Sequence, residues 1–270
     1  MLIGGKEFND GHTHIMGILN VTPDSFSDGG KYTESEKAVK HALRMIEEGA
    51  EVIDVGGEST RPGYVQISED EEIERVCPII ERIKKELEVP VSLDTYKGKV
   101  AKAGIVAGAD MINDIWGLKY DSDMAGIIAE NKVACCLMHN RDNTMYGDFI
   151  KDVVGDLMES VEIARNAGIS EDRIILDPGV GFGKNYEHNL MVMRNLGRFN
   201  ELGYPMLLGV SRKSVIGFAL DLPKDERLEG TIATSVLAAV NRYSFVRVHD
   251  VKENYRAVKM MEVFYGCNYY

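Results

Sequence analysis

No apolar run approaches the ~18 residues that a membrane-spanning helix requires. The first ten residues lack the basic-then-apolar pattern of a secretion signal. Cysteine is scarce: Cys77, Cys135, Cys136 and Cys267 are the four. The adjacent pair Cys135-Cys136 is poorly placed for a standard disulfide, and no CxxC zinc spacing occurs. Positive charge is in deficit, with 31 Lys+Arg against 43 Asp+Glu and a formal net charge of −12. An acidic surface repels phosphate backbones, which disfavours nucleic acid as a partner. No low-complexity segment or long linker divides the chain. These absences argue against membrane-spanning, disulfide-rich secreted and disordered classes, and point to a reduced, cytoplasmic protein. What is present is a chain of 270 residues, 44% hydrophobic and 27% charged, long enough to bury a large core.

One pattern recurs along it. A short apolar run is followed by a polar, Gly-rich turn and then by a longer amphipathic stretch. The apolar runs are Ile15–Leu19, Glu51–Val55, Val91–Leu93, Met111–Ile112, Val133–Met138, Arg173–Leu176, Met206–Gly209 and Phe245–Val248. Helix-like stretches cover Ser35–Glu48, Asp70–Glu86, Gly98–Ala107, Ser122–Glu130, Phe149–Ala167, Glu187–Phe199, Arg227–Val240 and Val251–Phe264. Buried parallel strands read as short continuous apolar runs. Eight such strands alternating with helices predict an α/β protein of one domain, residues 1–270, folded as a closed (β/α)8 TIM barrel. An open doubly wound sheet is the alternative.

In such a barrel the active site lies at the C-terminal ends of the strands. The residues there are Asn20, then Gly56 to Arg61, Asp94, Asn113-Asp114, His139-Asn140, Asp177, Ser211-Arg212-Lys213 and His249, with Arg247 just inside. Such a charged ring is more than capping requires and points to an enzyme. Asp94, Asn113 and Asp177 end three different strands. Facing one mouth, they suit the amino and keto edges of a flat heterocycle, although Asp and Asn also cap βα turns. No His–carboxylate spacing supports a metal on this trio.

Ser211-Arg212-Lys213-Ser214 and Arg247-Val-His249 follow the last two strands, where barrels commonly bind phosphate. Alternate strand residues share a face, so Arg247 and His249 point the same way. With Asn20 they could hold a diphosphate. Arg212 reads better as a solvated surface charge. The loops Asn20–Gly30 and Gly56–Gly63 exceed the ~2–6 residues of ordinary βα connections and read as functional lids. His12 and His14, without a third ligand, read as part of an N-terminal hairpin covering the barrel bottom. Cys135 and Cys136 read as core, and no nucleophilic triad can be assembled.

Several segments resemble a known family. Met16-Gly-Ile-Leu-Asn-Val-Thr-Pro-Asp-Ser-Phe-Ser-Asp-Gly-Gly30 and Asp54-Val-Gly-Gly-Glu-Ser-Thr-Arg-Pro-Gly63 resemble the two signatures of dihydropteroate synthase. Ser92-Leu-Asp-Thr95, Ile112-Asn-Asp-Ile115, Leu176 to Lys184, Gly209 to Ser214 and Arg247-Val-His-Asp250 are also similar, in the family's order. The resemblance implies condensation of a 7,8-dihydropterin-6-methyl diphosphate with 4-aminobenzoate, releasing pyrophosphate, in tetrahydrofolate biosynthesis. It further implies Mg2+ and a homodimer. Carried onto this sequence, Asn20 would help hold Mg2+ and the diphosphate. Asp94, Asn113 and Asp177 would bind the pterin edge, Lys213 its carbonyl and ring nitrogen, and Arg247 would stack beside it. Arg247 and His249 would hold the diphosphate, with Thr60 and Arg61 touching it or the aminobenzoate. Pro62, Phe182 and Ser214 would line the aminobenzoate pocket. Asp94, Lys213, Arg247 and His249 would carry the chemistry.

One segment departs from the family pattern. Where the family often has Met-His-Met-Gln-Gly, this chain has Met138-His-Asn-Arg-Asp-Asn143. Two other functions compete. A pterin-binding methyltransferase serving a corrinoid protein has no diphosphate to hold, so the Asn20–Gly30 loop, Arg61 and Lys213 argue against it. A non-enzymatic pterin binder is the second.

Overall fold

The computed structural model describes residues 1–9, 11–21, 31–59 and 66–265, with backbone only for 31–34. The chain opens with a two-stranded hairpin, β1 (Leu2–Ile3) and β2 (Lys6–Glu7). Gly4 and Gly5 join them with φ of 56° and 82°, the two positive values a tight two-residue hairpin turn demands. Eight parallel strands follow: β3 (His14–Asn20), β4 (Val52–Gly56), β5 (Val91–Asp94), β6 (Met111–Asp114), β7 (Ala134–Met138), β8 (Ile174–Asp177), β9 (Leu207–Leu208) and β10 (Phe245–Val248). Their order is β8-β7-β6-β5-β4-β3-β10-β9. A parallel bridge from Leu176 to Met206, with the Leu176 N–H donating to the Pro205 carbonyl at 2.9 Å, joins β8 to the β9 end. The sheet is therefore a barrel, as the alternation predicted, and not an open doubly wound sheet.

The helices wrap it: α1 (Lys31–Glu47), α2 (Glu69–Glu86), α3 (Gly98–Val106), α4 (Met124–Asn131), α5 (Phe149–Asn166), α6 (Tyr186–Arg194), α7 (Leu196–Asn200), α8 (Ser214–Leu220), α9 (Leu228–Val240) and α10 (Val251–Tyr265). The single helix expected over Glu187–Phe199 is broken at Asn195, whose side-chain amide donates to the Met191 carbonyl at 2.8 Å. That side-chain bond competes with continuation of the helix. The helix α8 was not anticipated, because seven residues carry too little periodicity to register.

Strand alternation divides the core in two. Ile15, Leu19, Ile53, Val55, Leu93, Ile112, Cys135, Leu137, Leu176 and Val246 face outward and pack under the helices. Met16, Val52, Met111, Ala134, Cys136, Ile175, Leu207 and Phe245 face inward and fill the lower barrel, closed from below by Ile3 and Phe8. The hairpin thus covers the bottom as expected. His14, however, is the first residue of barrel strand β3 rather than part of the hairpin. Both strand cysteines are fully buried core, as read from the sequence. Among the described residues no helix is long and apolar enough to cross a membrane.

Candidate active site

The inward face changes character towards the C-terminal ends of the strands. Two residues beyond the apolar layer on the same face come Asp54, Asn113, Asp177, Gly209 and Arg247, with Asn20, Gly56, Asp94 and His249 at the rim. The register Asn20–Gly56–Asp94–Asn113 runs side by side across β3, β4, β5 and β6. Glycine at two inward positions keeps the mouth open. A side-chain carbon at Gly56 would sit 3.7 Å from Asp94 Oδ2 and 3.9 Å from Asn20 Oδ1, and one at Gly209 would sit 3.6 Å from Asp177 Oδ2.

Arg247 is the centre of this layer. Its Nε donates to Asp54 Oδ2 at 2.6 Å and its Nη2 to Asp94 Oδ2 at 2.5 Å. Asp54 is fully buried, and the other oxygen of each carboxylate, Oδ1, has no hydrogen-bond partner among the described residues. Burial, foremost, pushes Asp94 up to about 7, with Arg247 pulling the other way. Asp54 was not among the sequence-derived site residues. The signal was there: a carboxylate inside a buried apolar strand needs a cation across the barrel.

Asp177 accepts the Gly179 N–H on Oδ1 at 2.7 Å. Burial raises its pKa, opposed by Lys213 and by that N–H. Lys213 donates to the Val180 carbonyl at 2.5 Å and lies over the Phe182 ring, 4.7 Å from its centroid. Burial brings Lys213 down to about 8. Phe182, like Trp116, packs against the buried cluster of Tyr96, Ile115 and Met138. Ser214 is exposed and opens α8 beside Lys213. The Ser211 hydroxyl oxygen accepts the His249 backbone N–H at 3.1 Å and lies 2.9 Å from His249 Nδ1. The hydroxyl then donates to Nδ1, which leaves the proton of the neutral ring on Nε2. Burial, reinforced by Arg247 and Arg212, pushes His249 down to about 3. The ring is a neutral donor rather than a cation.

Arg212 corrects an expectation. It is not a solvated surface charge: its Nε donates to Asp250 Oδ2 at 2.9 Å and its Nη2 contacts Oδ1. It ties the loop after β9 to the loop after β10. The atypical segment after β7 also resolves. Arg141 forks onto Asp156 at 2.6 and 3.0 Å, and His139 sets Nε2 3.0 Å from the same carboxylate. The buried Lys184 Nζ reaches His139 Nδ1 at 2.7 Å and the Gly179 and Phe182 carbonyls at 2.9 and 3.0 Å. His139 therefore braces the loop that carries Phe182 and does not face the mouth. A second unforeseen network flanks β4. Glu58 accepts from Tyr96 at 2.6 Å, Lys97 at 2.7 Å and the Ile67 N–H at 2.8 Å, while Lys97 also reaches Glu72 at 2.7 Å. Thr60, Arg61 and Pro62, and most of the Asn20–Gly30 loop, lie outside the described residues. His12 and His14 sit at the opposite end of the barrel, and the expectation that they lack a third ligand does not hold, because Glu51 lies between them.

The pterin binding enzyme family profile matches residues 16–249. The dihydropteroate synthase of Clostridium beijerinckii is 60% identical over 265 residues, covering 97% of this chain and 98% of its own. This chain belongs to the dihydropteroate synthase family of pterin-binding enzymes. Among solved members, dihydropteroate synthase from Clostridium difficile in the presence of pteroic acid superposes with a TM-score of 0.94 at 49% identity, covering 96% of this chain and 99% of that one. The Xanthomonas albilineans dihydropteroate synthase in complex with 7,8-dihydropteroate gives 0.87 at 39% identity, covering 94% of each. Like its relatives, this member of the dihydropteroate synthase family is a transferase built on a (β/α)8 barrel.

Proposed function

We propose that residues 1–270 act as one barrel domain that condenses a 7,8-dihydropterin-6-methyl diphosphate with 4-aminobenzoate, giving 7,8-dihydropteroate and pyrophosphate. The observation that carries this reading is the layer of Asp54, Asp94, Asn113, Asp177, Lys213 and Arg247 above an apolar barrel floor, with glycines 56 and 209 leaving room for a flat ring. Asp177 and Asn113 accept from and donate to the pyrimidine edge of the pterin. Lys213 donates to its carbonyl. Arg247, held flat by two carboxylates, packs along the ring.

The bond that breaks is the methylene C–O bond, and its electron pair leaves on the diphosphate. Neutral His249 donates Nε2–H to that group and Arg247 supplies positive charge, so negative charge developing on the leaving oxygen is stabilised. The methylene left behind is electron-poor and conjugated with the dihydropterin, and the carboxylate of Asp94 stabilises it. An arylamine attacks this carbon, forming the C–N bond, and the arylammonium so formed is acidic enough to give its surplus proton to water or to the released pyrophosphate without a strong base. Mg2+ fits the mouth by donor chemistry: Asn20 supplies a neutral amide oxygen at the rim, and Mg2+ is commonly held by one or two protein oxygens plus substrate phosphates. When bound, the ion neutralises diphosphate charge and eases its departure.

Phe182, and with it Ser214, Pro62, Thr60 and Arg61, forms the aminobenzoate side of the reading. The homodimer has support from exposed Leu237 and Val240 on α9 and Met260, Val263 and Phe264 on α10, two helices that pack together. Sedimentation at micromolar concentration tests it. The scarcity of cysteine supports a cytoplasmic location. Mixing both substrates with Mg2+ tests the activity, since pyrophosphate release separates this reading from methyl transfer and from simple pterin binding.

A further inference from the structure

We propose that His12, His14 and Glu51, at the barrel end opposite the active site, form a structural site for a divalent cation of the zinc class. His14 opens β3, His12 stands two residues before it, and Glu51 immediately precedes β4. His12 Nε2 lies 3.2 Å and His14 Nδ1 3.0 Å from the same carboxylate oxygen, Glu51 Oε1. The three ligand atoms all fall within 4.8 Å of one another. The two separations to Glu51, 3.0 and 3.2 Å, approach the ~3.3 Å edge of a tetrahedron with bonds of ~2.0 Å, the length of Zn–N and Zn–O bonds.

The outer partners of the two rings give further support. The far nitrogen of each ring already faces an acceptor. His12 Nδ1 is 3.0 Å from Glu262 Oε2, and His14 Nε2 is 3.4 Å from the Asn9 carbonyl. A carboxylate and a carbonyl are the outer partners that metal-bound histidines usually have. The inner nitrogens, His12 Nε2 and His14 Nδ1, converge on one carboxylate oxygen. Against burial, Glu262 and Glu51 raise His12 to about 9, so a proton competes for the same nitrogen. A divalent cation there displaces that proton, and its affinity rises with pH.

The surroundings suit a closed, structural role. Glu262 is nearly buried and also accepts the Thr13 N–H at 2.6 Å. Phe8 stands edge-on to His14 at 4.8 Å and limits its rotation. His12 is one-quarter exposed, which leaves an entry path. Lys6 Nζ, 3.2 Å from Glu51 Oε2 and nearly half exposed, is the competing cation. A bound ion would staple the N-terminal segment to β4 and, through His12 and Glu262, to α10.

The test uses untagged full-length protein, stripped with a chelator and then titrated with Zn2+ by calorimetry and with Co2+ by visible absorption. The wild type is expected to bind Zn2+ with a dissociation constant of about 1 µM or tighter, to show the absorption of nitrogen-ligated, low-coordinate Co2+, and to gain thermal stability. His12→Gln, at the one-quarter-exposed position, and Glu51→Gln should each lose that binding at least tenfold and lose the thermal gain. Turnover of His12→Gln with Mg2+ should stay at the wild-type level, since the site is remote from the mouth. Equal Zn2+ affinity in wild type and His12→Gln, or no binding by wild type at micromolar metal, overturns the proposal. These outcomes do not depend on the condensation reading.

Discussion

Arg247 and Lys213 both reach the barrel mouth, but the structure gives them different duties. Lys213 is bonded to a carbonyl and lies on a ring face, and when it is lost Asp177 keeps the Gly179 N–H and the nearby charges of Lys184 and Arg247. Arg247 holds Asp54 and Asp94, and removing one member of a buried ion pair commonly costs about 3–5 kcal/mol. Lys213→Ala is therefore expected to cut turnover with little change in melting temperature. Arg247→Ala should lower both, and a thermal melt beside a turnover assay separates them. The sequence alone suggests that both face only substrate. It shows Arg247 and Asp54 193 positions apart, and nothing in either run names the other as its partner. Asp177 poses a different question. Its Oδ1 is engaged by Gly179 and its Oδ2 borders the open space at Gly209. A charged partner lost from a hydrogen-bonded pair costs about 1.5–3 kcal/mol. Asp177→Asn is thus expected to weaken pterin binding by about tenfold or more in calorimetry. Unchanged affinity would remove Asp177 from the pterin site.

At the level of elements, the loop between β8 and α6 depends on one buried ammonium. Lys184 bonds two carbonyls of its own loop and the His139 ring, and burial brings it down to about 7. Lys184→Met should loosen the loop that carries Phe182. The expected result is a rise of about tenfold in KM for aminobenzoate, the scale of one lost charge-assisted bond, with pterin affinity nearly unchanged. Equal loss for both substrates would argue against this division. His139 also makes the brace sensitive to acid. Burial, with Lys184 adding to it, pushes the ring from its ordinary value of 6.5 to about 4. Between those values the unfolded chain takes up a proton that the folded one refuses, so stability falls as pH drops from 6.5 towards 4. His139→Gln lacks that titration. The wild-type stability advantage over the variant should shrink across this window in chemical denaturation, and a constant difference would contradict the assignment. None of this was legible in Met138 to Asn143. That segment departs from the family pattern, and its partners Asp156 and Lys184 come from a helix and a distant loop.

For the molecule as a whole, the alternation of apolar runs and amphipathic stretches pointed to a barrel and left an open doubly wound sheet as the alternative. Closure between Leu176 and Met206 decides between them, because short apolar runs mark buried parallel strands in either architecture. Strand-end positions were enough to place Asn20, Asp94, Asn113, Asp177, Arg247 and His249 around one mouth. The inner hydrogen bonds were not legible, because barrel closure brings together residues far apart in sequence. Arg212 with Asp250 and Glu58 with Lys97 are such pairs, as is the His12–Glu51–Glu262 cluster beneath the barrel. In the proposed reaction this mouth couples departure of diphosphate to attack by an arylamine. Mixing a dihydropterin-6-methyl diphosphate, 4-aminobenzoate and Mg2+ with the enzyme, and following pyrophosphate and dihydropteroate together, measures that coupling. Both are expected in a one-to-one ratio, and only when both substrates are present. Folded enzyme that yields no dihydropteroate, or that releases pyrophosphate without it, would overturn the coupling.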